Sequence, residues 1–301
     1  MHFALYDVFC DHPLSGNPAA VIFSETPFKL ELLVAFAQEF NLPETCNYWI
    51  EHGNPHVTFA TSKGVINVCG HGLLAVLADV ALNSRYEVSK VLYFVIQNQP
   101  PSLWRYKRLD DRTVFVSVKW PRAPSFYKEL PVGEAAEVLR IRCDLIRTDL
   151  PLTSCDSGII NGLVPIGNVG NLLEIKPDYG SVMSDFFRDH NLDDLHLYSI
   201  EDMSTKSGSY YKIRARNVFP YGVREESGTG SASISLAYAL SERFGEKAAE
   251  FHFIQGLDRK SAITVKLLKG PGREQGIWLE GKVILIASGE NLLTPDDWID
   301  E

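Results

Sequence analysis

The sequence predicts an α+β chain of two similar lobes, each built around one buried helix, and three observations lead there. The stretches "INVCGHGLLAVLADVAL" (residues 66–82) and "EESGTGSASISLAYAL" (225–240) both read small residue, glycine, polar residue, glycine, and then enter an apolar helix. Strand-like segments surround that helix in each half of the chain, the pattern of sheets packed on helices. The first helix has no strongly polar face, since Leu73, Leu74, Val76, Leu77, Val80 and Leu82 go nearly all round it. A helix apolar on every side has to be enclosed by other structure.

The elements follow in order. Alternation in "FALYDVF" predicts a strand, "DHPLSGNP" a turn and "AAVIF" a second strand. In "FKLELLVAFAQEFNLP" the residues Leu33, Phe36, Ala37 and Phe40 recur at helical spacing, and Asn41 with Pro43 ends that helix. "TCNYWI" and "HVTFAT" are strands leading to the first glycine turn; "VLYFVIQ", "LWRYK" and "TVFVSVKW" are hairpin strands after it. Proline-rich "PRAPSFYKELP" (121–131) is the candidate linker. Beyond it "AAEVLRI" and "VMSDFFRDHNL" read as helices, and "SGIINGLVPIG", "LHLYSIE" and "YYKIRARNVF" as strands that deliver the chain to the second glycine turn. "ITVKLLK" and "GIWLEGKVILIASGE" are strands again, so the second half repeats the plan of the first.

Composition sets the outer bounds. At 301 residues the chain suits one large domain or two ordinary ones. A net charge of −9 without any Lys/Arg cluster argues against a nucleic-acid partner, and the mixed run "WRYKRLDDR" reads as a solvated hairpin turn. No segment approaches the roughly 18 apolar residues of a membrane span, because "LLAVLADVAL" is short and broken by Asp79. The first residues are strand-like, without a signal-peptide pattern. Five cysteines, an odd number without CxxC spacing, argue against a disulfide framework and against a zinc site. The expected setting is the cytoplasm, with reduced thiols.

The segments "DVFCDHPLSGNPAAVIF", "NLPETCNYWI", "CGHG", "FPYGVREESGTGSA", "IQGLDRKS" and "EGKVILIASGE" stand in the order of the PhzF-like family of phenazine-biosynthesis isomerases, which the chain resembles over almost its whole length. That family shares its fold with diaminopimelate epimerase and proline racemase. The resemblance implies a diaminopimelate epimerase-like fold of two pseudo-symmetric lobes, each a β-barrel-like sheet around a central helix. The first lobe would be residues 1–121, with the tail from about 288–301 returning to it; the second would be 122–287, with the active site in the cleft between them. It also implies a homodimer, no cofactor and no metal, and proton movement on a small anionic, carboxylate-bearing substrate. The chain departs from the family pattern twice. Cys69-Gly70-His71-Gly72 stands where alanine-glycine-histidine-proline is usual, and Glu226-Ser227-Gly228-Thr229-Gly230-Ser231 where aspartate-proline-valine-threonine-glycine-serine is usual. Both changes approach the epimerase pattern, in which each turn begins with a catalytic cysteine, yet only the first turn has one.

The residues support this chemistry in their own right. A glycine turn opening a helix frees backbone N–H groups at the positive end of the helix dipole, which binds carboxylate without a basic side chain. Two such turns, with Gly70 and Gly72 in the first and Ser227, Gly228, Thr229, Gly230 and Ser231 in the second, make a two-sided anion cradle. Glu44 read alone is a solvated turn residue; the motif around it assigns it as the acid/base group. His71 read alone is a satisfied histidine; in a turn aimed at a ligand it donates to developing enolate charge. Cys69 at a helix N-terminus reads equally as a thiolate-forming residue and as a small buried one. Ser227 is no substitute for a thiolate base, which disfavours a symmetric two-thiol racemase. Glu226 and Ser231 match family positions that hold substrate, with Glu226 placed among the catalytic residues, and Asn17 belongs to the family's GNP turn. Gln255, Gly256, Arg259 and Ser261 match a stretch near the cleft, where Arg259 alone reads first as a surface residue. The leading expectation is a cofactor-free biosynthetic isomerase that shifts a proton or double bond; the alternatives are an epimerase or dehydratase using Cys69 with Glu44, and a non-catalytic binding protein that keeps the cradle. Keeping Glu44, Cys69 and His71 together weakens the last, since anion binding needs none of the three. Carboxylic acids should therefore bind in titration calorimetry and their neutral esters should not; equal affinity would refute the cradle.

Overall fold

The computed structural model describes residues 2–83, 92–96, 99–177, 179–204, 209–220, 225–272 and 275–290. The chain forms two units, one from the described residues up to 121 together with 280–290, the other from 122–279. The first opens with β1 (His2–Val8), β2 (Asn17–Phe23), α1 (Leu30–Phe40), β3 (Glu44–Glu51), β4 (Asn54–Thr61) and β5 (Gly64–Ile66). It continues with α2 (Gly70–Leu82), β6 (Leu92–Ile96), β7 (Ser102–Arg108) and β8 (Thr113–Lys119), and it takes the end of β16 (Gly276–Glu290). Eight strands close into a ring in the order β1-β2-β3-β4-β6-β7-β8-β16, because β16 also pairs antiparallel with β1 from Val8↔Val283 to His2↔Glu290. The chain thus re-enters this unit at Glu280, earlier than the tail from about 288 considered above, and residues 291–301 lie outside the described residues.

Inside the ring, α2 lies against β1, β2, β3, β4, β7 and β8. Every residue from Gly70 to Ala81 is buried, which is why the sequence carries no polar face there. Asp79, the one carboxylate on this helix, accepts hydrogen bonds from Tyr6 Oη at 2.8 Å, Tyr48 Oη at 2.5 Å and Asn83 Nδ2 at 2.8 Å. A buried acid is tolerable only with such partners. On the outside, α1 turns Leu32, Leu33, Phe36 and Ala37 inward and ends where Asn41 takes the left-handed conformation (φ 49°).

The second unit comprises β9 (Ser125–Glu129), α3 (Val132–Leu139), β10 (Thr153–Asp156), β11 (Ile160–Pro165), α4 (Val169–Glu174) and α5 (Ser181–His190). After these come β12 (Asp194–Ser204), β13 (Ser209–Val218), α6 (Gly230–Phe244), β14 (Ala248–Gln255), β15 (Ser261–Leu268) and the start of β16. Its strands run β16-β15-β14-β13-β12-β11-β10-β9, and α6 packs against β10, β11, β14 and β15. The expected linker 121–131 is therefore only partly one: Ser125–Glu129 is a strand that pairs with β10, and Phe126 packs on Tyr238 of α6. Its prolines mark the ends of β9 rather than a disordered connection.

Unlike α2, the second central helix buries four serines, Ser231, Ser233, Ser235 and Ser241. A polar network beneath it meets part of that demand. The Ser157 hydroxyl donates to the Ser231 carbonyl at 3.1 Å, and Ser235 Oγ donates to Asn161 Oδ1 at 2.8 Å. Asn161 Nδ2 reaches both oxygens of Asp194 (3.0 and 2.9 Å), and Asn217 Nδ2 donates to Oδ2 at 3.2 Å. Burial pushes the Asp194 carboxyl up to about 7 against these donors, while it pushes His196, bonded to Asn217, down to about 4.

A raised carboxyl pKa means that the native state holds a proton that the unfolded chain releases near pH 3.9. The stability this group contributes is therefore complete below about pH 4 and declines as pH rises to about 7. The decline is on the order of 4 kcal/mol at most. Asp194→Asn should flatten it, read as denaturant midpoints at pH 5 and pH 7.5 for both proteins. Parallel midpoints would show that Asp194 does not titrate in this window.

Candidate active site

The first glycine turn is built by β2, β3 and the start of α2. Parallel pairing of β2 with β3 places Ala19 opposite Glu44, so Asn17 and Glu44 both sit at the same strand ends. The preceding turn is held by Asp7, which accepts from the Leu14 N–H at 2.6 Å, and by Gly16 at φ 72°. A Cβ on Gly16 would stand 2.3 Å from the Val8 carbonyl oxygen, so only glycine lets the chain turn here and present Asn17. Cys69 is the N-cap of α2, and its sulfur accepts the Gly72 N–H at 3.2 Å, the task usually given to serine or aspartate.

His71 lies in the middle of this group. Its Nε2 is 2.6 Å from Glu44 Oε2; its Nδ1 is 3.1 Å from Asn17 Nδ2 and 3.4 Å from Cys69 Sγ. With the Asn17 amide N–H donating to Nδ1, the imidazole proton is assigned to Nε2, facing the carboxylate. His71 and Cys69 are buried, while the Glu44 side chain keeps 12% of its surface exposed. Glu44, Cys69 and His71 are also the one group of metal-ligand side chains that converges among the described residues, with one donor atom from each all within 4.8 Å of one another.

One neighbour escaped the sequence reading. Cys46 follows Glu44 on the same face of β3, and its sulfur would stand 2.7 Å from a Cβ placed on Gly72, with Cys69 Sγ at 3.1 Å. Burial pushes the Cys46 thiol well up, and the nearby Glu44 charge adds to this. It is therefore a neutral packing group. The period of two along "ETC" was the available signal.

The second turn is tied together differently. Thr229 is the N-cap of α6, and its hydroxyl donates to Glu226 Oε2 at 2.5 Å. Gln255, buried at the end of β14, accepts from the Thr229 N–H at 3.0 Å and donates to the Glu226 carbonyl and to Thr229 Oγ1, both at 2.9 Å. Gly256 at φ 94° passes so close to the Arg259 carbonyl that a Cβ would lie 2.3 Å from its oxygen. The carboxylate of Glu226 is thus engaged in the turn itself, and Gln255 is a clamp on it. Ser227, Gly228, Gly230 and Ser231 lie in or beside this turn. Arg259 is half-buried, and the Ser261 hydroxyl is buried without a hydrogen-bond partner among the described residues. Asn17, Glu44, Cys69, Gly70, His71 and Gly72 come together in the first unit; Glu226 to Ser231 come together in the second. Residues 221–224 of the quoted "FPYGVREESGTGSA" lie outside the described residues.

The chain matches the PhzC-PhzF family, phenazine biosynthesis-like proteins, over residues 6–289. It belongs to that family. An uncharacterised isomerase of Pseudomonas aeruginosa is 25% identical over 283 residues, covering 94% of this chain and 95% of the relative. The trans-2,3-dihydro-3-hydroxyanthranilate isomerase of Pseudomonas chlororaphis is 24% identical over 264 residues, covering 85% and 86%. Among solved structures, a PhzF-family protein of Bacillus anthracis superposes with a TM-score of 0.79 at 19% identity, covering 97% of this chain and 99% of that one. A probable proline racemase of Agrobacterium radiobacter, with bound carbonate, gives 0.61 at 12% identity, covering 98% and 94%. The chain is thus an isomerase of this family, with a fold that it shares with proline racemase. Among the described residues no helix is long and apolar enough to cross a membrane.

The crowding at Gly72 is testable. Gly72→Ala would push a methyl group into Cys46 Sγ, and overpacking of this kind costs about 1–3 kcal/mol, against about 1 kcal/mol gained in helix propensity. A net loss of stability should appear in the denaturant midpoint, and Cys46→Ala in the same chain should restore most of it. No loss, or no restoration, would mean that the two thiols do not close over Gly72.

Proposed function

We propose that this isomerase moves a proton along a small carboxylated, conjugated metabolite, shifting a double bond, with Glu44 as the acid/base group. The observation that carries the reading is the 2.6 Å contact of His71 Nε2 with Glu44 Oε2, with Asn17 on the other imidazole nitrogen. His71 fixes one carboxylate oxygen and leaves Oε1 for the substrate. Glu44 takes a proton from the acidic carbon, the electron pair spreads through the double bond toward the substrate carboxyl group, and Glu44 returns the proton at the far end. Atoms and charge balance without an added reactant. The helix N-terminus of α2 supplies N–H groups and dipole for the developing negative charge. In this reading Ser231 hydrogen-bonds substrate, and the enzyme is a homodimer of the cytoplasm that works without cofactor. Members of its family named as trans-2,3-dihydro-3-hydroxyanthranilate isomerases support the substrate class.

One observation favours a second reading. Cys69 Sγ lies 3.4 Å from His71 Nδ1, close enough for thiol and imidazole to exchange a proton, as an epimerase or dehydratase using Cys69 with Glu44 would need. Deuterium incorporation from heavy water, followed by mass analysis of candidate acids, separates the two. Glu44→Gln should keep the fold and ligand affinity while losing on the order of 10² to 10⁴ in exchange rate. Cys69→Ala should cost clearly less under the first reading and as much under the second. Near-normal exchange in Glu44→Gln would reject both.

A further inference from the structure

The two ring nitrogens of His71 face different neighbours. Glu44 Oε2 stands 2.6 Å from Nε2, while Asn17 Nδ2 and Cys69 Sγ stand 3.1 and 3.4 Å from Nδ1 on the other side of the ring. A neutral imidazole carries one proton, and its surroundings decide which nitrogen holds it. The Asn17 amide nitrogen can only donate, so it takes the lone pair of Nδ1 and leaves the ring proton to Nε2. The Cys69 thiol is a second, weaker donor toward that lone pair, and its sulfur accepts the Gly72 N–H at 3.2 Å.

The local fold is shaped to put the amide there. Asn17 is 1% exposed and pairs with Val8 across β1 and β2. The turn before it holds both Gly16 (φ 72°) and Leu14 (φ 64°) in the left-handed conformation, which a leucine seldom adopts. Such backbone persists only where its surroundings enforce it, and here Asp7 accepts the Leu14 N–H at 2.6 Å. Asn17 therefore acts on His71, where the motif alone set it against substrate.

We propose that Asn17, assisted by Cys69, is a positioning residue that keeps His71 neutral with its proton on Nε2. A neutral donor orients the Glu44 carboxylate without a positive charge beside it, which would weaken Glu44 as a proton acceptor. In the opposite tautomer the bare Nε2 would face Oε2 at 2.6 Å, and Glu44 itself would have to carry a proton. Only the Nε2–H form leaves Glu44 both oriented and able to accept. Cys69 is then a cap and a donor, not the base of the second reading above. The effect on turnover rests on Glu44 being the acid/base group, whereas the tautomer rests on the contacts of Asn17 and Cys69 alone.

Nitrogen-15 NMR of the full chain labelled at histidine reads the tautomer without any ligand. His71 is one of eight histidines, and its signals are those absent from His71→Gln. At pH 7.5 the wild type should show Nε2 protonated and Nδ1 bare. Asn17→Asp keeps the shape but offers acceptors, and the imidazole, the more basic group, takes the proton between them. Both His71 nitrogens should then be protonated, and deuterium exchange of an acid that the wild type exchanges should fall by about 10²-fold or more. Cys69→Ser keeps a cap and a donor, so the wild-type His71 pattern should remain. Its exchange should fall by less than about tenfold, short of the roughly 10²-fold that losing an acid/base group costs. A wild-type spectrum with Nδ1 protonated would overturn the proposal, even if Asn17→Asp does not fold, and so would an unchanged His71 pattern in folded Asn17→Asp. A loss in Cys69→Ser as large as in Glu44→Gln would overturn the part given to Cys69. Doubly protonated His71 in Asn17→Asp with undiminished exchange would uphold the tautomer and count against Glu44 as the acid/base group.

Discussion

A helix enclosed on all sides must satisfy every polar group it carries without help from bulk water, and the first unit is organised around that demand. Along most of α2 the demand is met by having almost nothing polar to satisfy. Asp79 is the exception on the helix body, and two tyrosines from β1 and β3 together with the helix's own C-cap, Asn83, answer it. At the N-terminus the demand is not removable, because the first N–H groups of any helix lack partners within it. There the sequence places Cys69, whose sulfur caps the helix and whose position brings it against His71. The capping sulfur therefore stands beside the imidazole.

The two glycine turns meet the same constraint by different means. In the first, the imidazole of His71 stands among Glu44, Asn17 and Cys69, all groups able to give or take a proton or hydrogen bond. In the second, Thr229, Glu226 and Gln255 bond chiefly to one another, which makes a rigid frame. Beneath that frame, Asp194 with Asn161 and Asn217 and the hydroxyls of Ser157 and Ser235 form a buried polar layer where the first unit has hydrocarbon. An imidazole, a thiol and a carboxylate thus gather at the entrance of α2, whereas the entrance of α6 holds a closed set of hydrogen bonds around one carboxylate.

Much of this was legible before folding was considered. The 3.6-residue and two-residue periods located both central helices and most strands, and the alignment of short motifs pointed to Glu44, His71 and Asn17. What escaped has physical causes. β9 escaped because prolines at both ends mimic a linker, although a strand at the edge of a sheet tolerates them. Cys46 escaped because its partners, Gly72 and Cys69, are some 25 residues away in the chain and only the fold brings their atoms together. The clamp of Gln255 on Thr229 and Glu226 escaped because hydrogen bonds among neighbours in a turn leave no periodic trace.

The sequence by itself determined the α+β class, the two enclosed helices and the residue types at each helix entrance, because burial pattern and turn chemistry are local properties written every two to four residues. Only the tertiary structure decided that eight strands close into a ring around α2, that Asp79 is answered by Tyr6 and Tyr48, and that a thiol, an imidazole and a carboxylate share one small space. The reason is the same in each case. Strand pairing and side-chain contact join residues far apart in the chain, and a distance of a few ångströms between them is set by packing, which no local pattern records.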